Sequence, residues 1–252
     1  MIIKNGKVIE AFAKDGGGIS SIHKDGETVF EVKKEGHVLP EGLVLYFDAI
    51  NNTGNGHNPN LSHGNFWKDL SGNNNDGHLD FFGAGCWDND CLMFNGVSNF
   101  INTPLNQIGG QESLGNNFTI SSKVLMAETN NYRGIAGGHS FTPGIIFGQW
   151  ENGFCTFKVL GLTGTINVSP SDFPNGFNTL TMVVSSGNEF ILYINGIIFA
   201  STPCPSFVAM NPAVPFGIGN AFSGGDRYFK GSMKNFMIFD RALSGNEVAS
   251  II

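Results

Sequence analysis

Apolar and polar residues alternate in short runs along most of the chain, and glycine or asparagine separates one run from the next. In residues 118–124 the apolar side chains fall mostly on one face, and Thr119, Ser121 and Lys123 fall on the other. Residues 190–194 are apolar on both faces, which is typical of a strand inside a stack of two sheets. These patterns predict a chain made almost entirely of β-strands.

Two local motifs predict how the chain ends. Asn195-Gly196 separates two apolar runs, and this dipeptide favours the left-handed backbone of a two-residue hairpin turn. Ser244 and Glu247 have the spacing of a capping box and predict a short terminal helix. We expect Arg241 to anchor this turn through hydrogen bonds.

The first forty residues predict a separate small module. The segment at residues 4–8, Lys-Asn-Gly-Lys-Val, is echoed at residues 24–29, and Gly16-Gly17-Gly18 lies between the two. Each copy predicts a tight turn, and two small hairpins are not stable alone. We therefore expect residues 1–40 to form a β-hairpin attachment module and residues 41–252 to form one large domain.

Composition supports this division and excludes some partners. The chain has 35 glycines, 23 phenylalanines and only 14% charged residues, which favours strands joined by tight turns. Residues 1–40 carry six lysines and six acidic residues, so residues 41–252 hold the whole net charge of -7. An acidic domain of this kind repels nucleic acid. No apolar run is long enough for membrane insertion, and the first residues lack the apolar run of a secretion signal.

Three motifs, in order, resemble the concanavalin A-like, laminin-G-like family of jelly-roll domains. They are a Trp-x-Asp-Leu-Ser-Gly loop at residues 67–77, a Phe-Asn-Gly strand pair at residues 92–101, and a closing glycine-led strand with Arg-Ala-Leu-Ser at residues 231–244. The resemblance covers residues 42–252. It implies an all-β fold, a two-sheet antiparallel jelly-roll sandwich with a short carboxy-terminal helix.

The same resemblance includes glucanases, which carry paired catalytic carboxylates on one strand. The chain has no Glu-x-Asp-x-x-Glu strand, and its glutamates Glu112, Glu128, Glu151, Glu189 and Glu247 lie mostly near turns. We therefore predict a protein that is not an enzyme.

Sugar binding needs an exposed aromatic ring beside side chains that bind hydroxyl groups. Several loops place a ring next to polar residues, and the candidate carbohydrate-binding residues are Tyr132, Arg133, Trp150, Asn152, Asp226 and Tyr228. The alternative is that Trp150 and Tyr228 belong to the rim or core of the sandwich. Trp67 resembles a core residue of the family.

Calcium is the candidate cofactor, because residues 51–76 concentrate the oxygen ligands that hard cations prefer. Relatives of this type often hold a structural calcium at a sandwich edge, and the leading ligands here are Asp48, Asp69 and Asp76. Asn95 and Asn235 stand where the family commonly has aspartate, which weakens an inherited site. Cys86 and Cys91 either pair across their loop in oxidising surroundings or remain free thiols.

The amino-terminal segment resembles the leaders of bacteriophage tail, fibre and head-surface proteins. The two resemblances together predict a non-enzymatic virion surface protein whose jelly roll binds a bacterial surface glycan. Its first forty residues would contact other virion proteins, and copies would form a homo-oligomer that gains avidity. The alternatives are a purely structural decoration protein without sugar binding, and an extracellular bacterial carbohydrate-active enzyme or binding module.

Overall fold

The computed structural model describes the chain in segments: residues 2–4, 7–12, 21–24, 27–31, 40–50, 66–83, 85–88, 90–104, 116–128, 133–138, 144–159, 163–206, 216–220 and 227–252. The chain divides into two compact units, Met1–Leu39 and Pro40–Ile252.

The first unit is an antiparallel sheet whose described strands pair in chain order: β1 Ile2–Lys4, β2 Lys7–Phe12, β3 Ser21–Lys24 and β4 Glu27–Glu31. Lys4 pairs with Lys7, and Lys24 pairs with Glu27. Two residues separate the paired ends of each pair, at the Asn-Gly and Asp-Gly positions where the sequence predicts a turn; those two positions lie outside the described residues.

The second unit consists of short strands and one helix. In chain order these elements are β5 Leu43–Asp48, β6 Phe66–Trp67, β7 Gly77–Asp80, β8 Trp87–Asp88, β9 Cys91–Asn95, β10 Phe100–Asn102, β11 Asn117–Met126, β12 Gly134–Gly138, β13 Ile145–Glu151, β14 Phe154–Val159, β15 Thr163–Val168, a 3-10 turn Pro170–Asp172, β16 Asn178–Ser185, β17 Glu189–Ile194, β18 Ile197–Pro203, β19 Gly217–Ile218, β20 Lys230–Phe239 and helix α1 Gly245–Ser250.

These strands form two antiparallel sheets. Sheet A has the order β18-β17-β16-β11-β20-β9-β8, and sheet B has the order β15-β14-β13-β12-β19-β10-β7-β6. Strand β5 pairs with residues 235–239 of β20, next to the stretch at residues 230–233 that pairs with β9. The predicted all-β sandwich with a short terminal helix is confirmed.

Aromatic side chains fill the space between the two sheets. Phe147 of sheet B and Phe236 of sheet A are both fully buried, and their ring centroids lie 6.1 Å apart. Trp67 is also fully buried, stacked on Phe47 with ring centroids 5.1 Å apart. The core position predicted for Trp67 is confirmed.

Strand β11 differs from its predicted pattern on one face. The polar residues Thr119 and Ser121 are buried, although alternation predicted a solvent-facing row. The carboxy-terminal segment covers this face, because the Thr119 hydroxyl donates to the Arg241 carbonyl at 2.9 Å and accepts from the Leu243 amide at 3.0 Å. Hydrogen bonds therefore make a polar face compatible with burial.

The terminal helix begins as predicted. The Ser244 hydroxyl accepts from the Glu247 amide, and the Glu247 carboxylate accepts from the Ser244 amide at 2.8 Å. Arg241 pairs with Glu247 and donates to the Glu41 carbonyl at 2.9 Å.

The predicted hairpin is present too. Asn195 and Gly196 have φ angles of 51° and 76°, the left-handed values of a type I′ turn.

Candidate functional site

The structure places only part of the predicted carbohydrate set. Tyr132 and Asp226 lie outside the described residues, as do residues 51–65 of the predicted calcium loop. Arg133, Asn152 and Tyr228 lie at loop positions, and Trp150 lies on strand β13.

Trp150 is buried, so the solvent exposure predicted for its ring is wrong. Only 2% of its surface is exposed, and its ring packs at an angle against Phe173 with centroids 6.1 Å apart. The polar residues beside it in sequence do not bring it to the surface, because its side chain packs into the hydrophobic core. The alternative, a core tryptophan, is what the structure shows.

Asn152 forms the tip of a hairpin. It is exposed with a φ of 52°, between the paired residues Glu151 and Phe154. A left-handed asparagine followed by glycine is what this turn requires, so the structure gives Asn152 a role in chain reversal.

Arg133 and Tyr228 come together at one end of the sandwich. The Arg133 guanidinium donates to the Tyr228 carbonyl at 3.4 Å and also to the Gly96 carbonyl. It lies 3.5 Å from the Glu128 carboxylate, which also binds the Lys230 ammonium. These bonds, chiefly the one from Lys230, hold the pKa of Glu128 below its ordinary value. Arg133 therefore fastens together loops from both sheets.

The three predicted calcium ligands each accept hydrogen bonds. Both oxygens of Asp69 are used: Oδ1 accepts from the Tyr46 and Ser71 amides, and Oδ2 accepts from the Ser71 hydroxyl and the Asn75 amide. Asp76 accepts from the Asp69 amide at 2.9 Å and pairs with Lys68. This network stabilises the loop at residues 68–76.

Asp48 belongs to a different neighbourhood. Its carboxylate accepts from the Tyr46 hydroxyl and the Ile50 amide, both at 2.7 Å. Among the described residues, no group of three acidic, histidine or cysteine side chains is placed to hold a metal ion. As placed, the three carboxylates do not fit a shared calcium site, and calcium binding stays a prediction.

A cleft of about 240 Å³ opens beside the Arg133 cluster, and the sequence did not point to it. It lies next to the connection at residues 95–99, which crosses from β9 of sheet A to β10 of sheet B. Its described lining consists of glycines, apolar side chains, a thiol and two amides: Phe81, Gly83, Gly85, Cys86, Met93, Phe94, Asn95 and Asn99.

Phe81 is the exposed aromatic residue of this cleft, with 72% of its surface accessible. The sequence contained one signal for this exposed ring, the pair Phe81-Phe82 before a glycine-rich stretch. Adjacent residues at the end of a strand point to opposite sides, so one ring of such a pair can face solvent while the other faces the core.

Cys86 lines the cleft as a free thiol, and Cys91 is also free. Burial raises the pKa of each thiol above its ordinary value. The sequence left open a disulfide between Cys86 and Cys91 or two free thiols, and the structure shows two free thiols.

Two stacked antiparallel sheets define a β-sandwich domain. The family model described as the concanavalin A-like lectin/glucanases superfamily matches residues 96–249, more than half of the chain. The chain belongs to this superfamily. A search of the curated proteins found no match.

Solved structures share the fold at low sequence identity. Domain 4 of the extracellular arabinanase AbnA from Geobacillus stearothermophilus, solved with arabinotriose, is 18% identical with a TM-score of 0.53; the match covers 82% of this chain and 96% of that domain. A Trypanosoma rangeli sialidase is 16% identical with a TM-score of 0.59, and the match covers 85% of this chain but only 33% of the sialidase. The binding domain of Paraclostridial Mosquitocidal Protein 1 is 19% identical with a TM-score of 0.50, covering 82% of this chain and 51% of that one.

The described segments contain no helix with the length and apolar character needed to cross a bilayer.

Proposed function

We propose that the second unit is a non-enzymatic carbohydrate-binding domain, and that it binds sugar at the cleft beside residues 95–99. The observation that carries this proposal is an exposed aromatic ring beside a cleft that side-chain amides also line. Sugars bind proteins through the same combination, because a ring covers the apolar face of a pyranose while amides bind its hydroxyl groups. The superfamily match and the arabinotriose complex of a similar domain support the proposal.

The absence of catalysis is part of the proposal. Three glutamates of the second unit occupy separate ion pairs: Glu128 with Lys230, Glu151 with Lys158, and Glu247 with Arg241. Glycoside hydrolysis needs two carboxyl groups facing one bond, at separations of about 5 to 9.5 Å. We expect no product from a panel of polysaccharides, and turnover that a carboxylate substitution abolishes would reject this part.

The biological setting that we propose is the surface of a bacteriophage particle. The first unit, with its repeated small hairpins, would attach the protein to other virion proteins, and the sandwich would bind a bacterial surface glycan. Presentation of several copies would compensate for a weak single site through avidity. We also propose that the loop at residues 51–76 binds calcium.

Binding of the purified full chain to an array of bacterial polysaccharides tests the sugar proposal. We expect saturable binding that Met93→Glu weakens at least tenfold, because Met93 lines the cleft and a carboxylate there would lose hydration when a sugar covers it. Phe154→Glu is the matched control, since Phe154 is a similarly exposed apolar residue on β14 of sheet B that does not line the cleft. Folded wild-type protein that binds no glycan and no cell would reject the proposal.

A second candidate function, a structural decoration protein, is favoured by one apolar surface. Ile197, Ile198 and Phe199 are all exposed on β18, the strand that ends the order of sheet A. Consecutive exposed apolar residues on such a strand are suited to protein contacts. A protein that binds no sugar but loses its oligomeric state in Ile198→Lys would support this candidate.

A further inference from the structure

We propose that the ring of Phe81 is the stacking platform of the cleft and that the ligand is an uncharged sugar residue. The inference rests on the proposed function and deepens it, because it assigns the aromatic contact that the buried Trp150 cannot make.

The backbone of Phe81 is unusual. Its φ is 61°, in the left-handed region that bulky residues rarely occupy. The following residue, Phe82, turns inward and packs edge-on against Phe94 with ring centroids 5.2 Å apart. The left-handed residue therefore separates two consecutive rings, one packed on the core and one directed to solvent. Strain of this kind persists where the surrounding structure enforces it, and it is concentrated at functional sites.

Asn99 enforces this conformation. It is 4% exposed, its Nδ2 donates to the Phe81 carbonyl at 2.7 Å, and its Oδ1 accepts from the Asn95 amide at 2.7 Å. One buried carboxamide thus ties the turn after β7 to the end of β9.

Hydrogen bonds also hold the adjoining loop at residues 95–99 in place. Asn95 Oδ1 accepts from the Val97 amide at 2.8 Å and from the Ser98 amide at 3.0 Å. The platform and the loop beside it are therefore in place before a ligand arrives, which removes an ordering cost from binding.

The free face of Phe81 is available to a ligand. Its ring contacts Phe100 at a tilt of 43°, with centroids 6.0 Å apart, and most of the ring remains in solvent. Asn95 lines the same cleft, and its Nδ2 group makes a 3.3 Å bond to the half-buried Ser98 hydroxyl. A ring face and an amide donor together suit the apolar face and the hydroxyl groups of a sugar.

The charges indicate which sugars fit. No described residue that lines the cleft is charged. The nearest cationic groups that we identify, Arg133 and Lys230, both pair with Glu128 across the 95–99 connection. An acidic sugar such as sialic acid would therefore find no cation in the cleft, and the chain carries a net charge of -7. At about 240 Å³, the cleft is smaller than the range of about 300 to 1,000 Å³ typical of drug-sized ligands, which favours a small ligand such as one sugar residue.

The test uses the full chain on an array of neutral and sialylated oligosaccharides, with arabinotriose among the neutral ones. Phe81→Gly removes the ring and also suits the left-handed backbone, so loss of binding cannot be assigned to a strained fold. Phe81→Trp keeps a ring, and Phe154→Ala removes another exposed ring, one that does not line the cleft. We expect neutral ligands to bind about tenfold more weakly to Phe81→Gly, with Phe81→Trp and Phe154→Ala close to wild type.

The Cys86 thiol gives a second readout at the same place. A bound neutral ligand should slow modification of Cys86 by N-ethylmaleimide, measured by mass spectrometry of the digested protein. Neutral binding that is unchanged in Phe81→Gly, or a preference for sialylated ligands, would overturn the inference while leaving carbohydrate binding intact. Failure of the wild type to bind any oligosaccharide would overturn both.

Discussion

Asp69→Asn separates two roles for the aspartate that the sequence assigned to calcium. In the structure this carboxylate is 8% exposed and accepts four hydrogen bonds, two on each oxygen. The substitution keeps the shape of the side chain but replaces one oxygen by an NH2 group. In the better of its two orientations the NH2 group faces the Ser71 hydroxyl, which can turn to accept, and the Asn75 amide, which can only donate.

The expected loss comes from one lost bond and from three bonds that no longer involve a charge. A hydrogen bond to a charged group contributes about 1.5 to 3 kcal/mol and a neutral one about 0.5 to 1.5 kcal/mol, so the domain loses at least about 3 kcal/mol. For a domain of this size, about 1 kcal/mol shifts the melting temperature by about 2 to 4 °C. We therefore expect a fall of at least about 6 °C, followed by circular dichroism during heating. Urea unfolding measures the same loss independently.

Asp172→Asn is the matched control. The carboxylate of Asp172 accepts from the Ser169 amide at 3.1 Å on an exposed 3-10 turn, so its replacement should shift the melting temperature by less than about 3 °C. Both variants are measured in millimolar calcium and in chelator. The hydrogen-bond account predicts the same fall for Asp69→Asn in both. A fall below about 2 °C would refute it, and a fall that appears only in calcium would assign the carboxylate to a bound ion.

Two further predictions concern stability. Hydrogen bonds from Arg241, and then from the Ser244 backbone and side chain, lower the pKa of Glu247 to about 2. The stability that the ionised Glu247 contributes is therefore present above its ordinary pKa near 4.5 and is lost as pH falls toward 2. Across this window the melting temperature should drop more for the wild type than for Glu247→Gln, and equal drops would reject the pairing. In Gly77→Ala the new methyl group would lie 2.5 Å from Ile101 and 2.7 Å from Phe47, so urea unfolding should show a free energy of unfolding lower by about 1 to 3 kcal/mol. Gly83→Ala, whose new methyl group would have no heavy atom within 4 Å, should be close to neutral. Similar losses in both variants would contradict the packing argument.

The carbohydrate candidates show where sequence patterns stop being informative. Arg133 and Tyr228, predicted as separate loop residues, come together because a guanidinium bonds two carbonyls that are distant in the sequence. Trp150 has polar neighbours in sequence but lies in the core, since burial depends on what packs over that face of β13. Phe81 is the opposite case, because it is exposed although nothing in its local sequence distinguishes it from the other phenylalanines except the ring of Phe82 that follows it.

By itself, the sequence determined the local elements and the class of fold. The hairpin at Asn195-Gly196 and the capping box at Ser244 depend on groups within three residues of one another, and the alternation of side chains follows from strand geometry alone. Tertiary structure decided which faces are covered and which carboxylates and rings are left to solvent. Those outcomes depend on contacts between residues far apart in the chain, such as Asn99 with Phe81 and Asp69 with Tyr46, and no local pattern encodes these pairings.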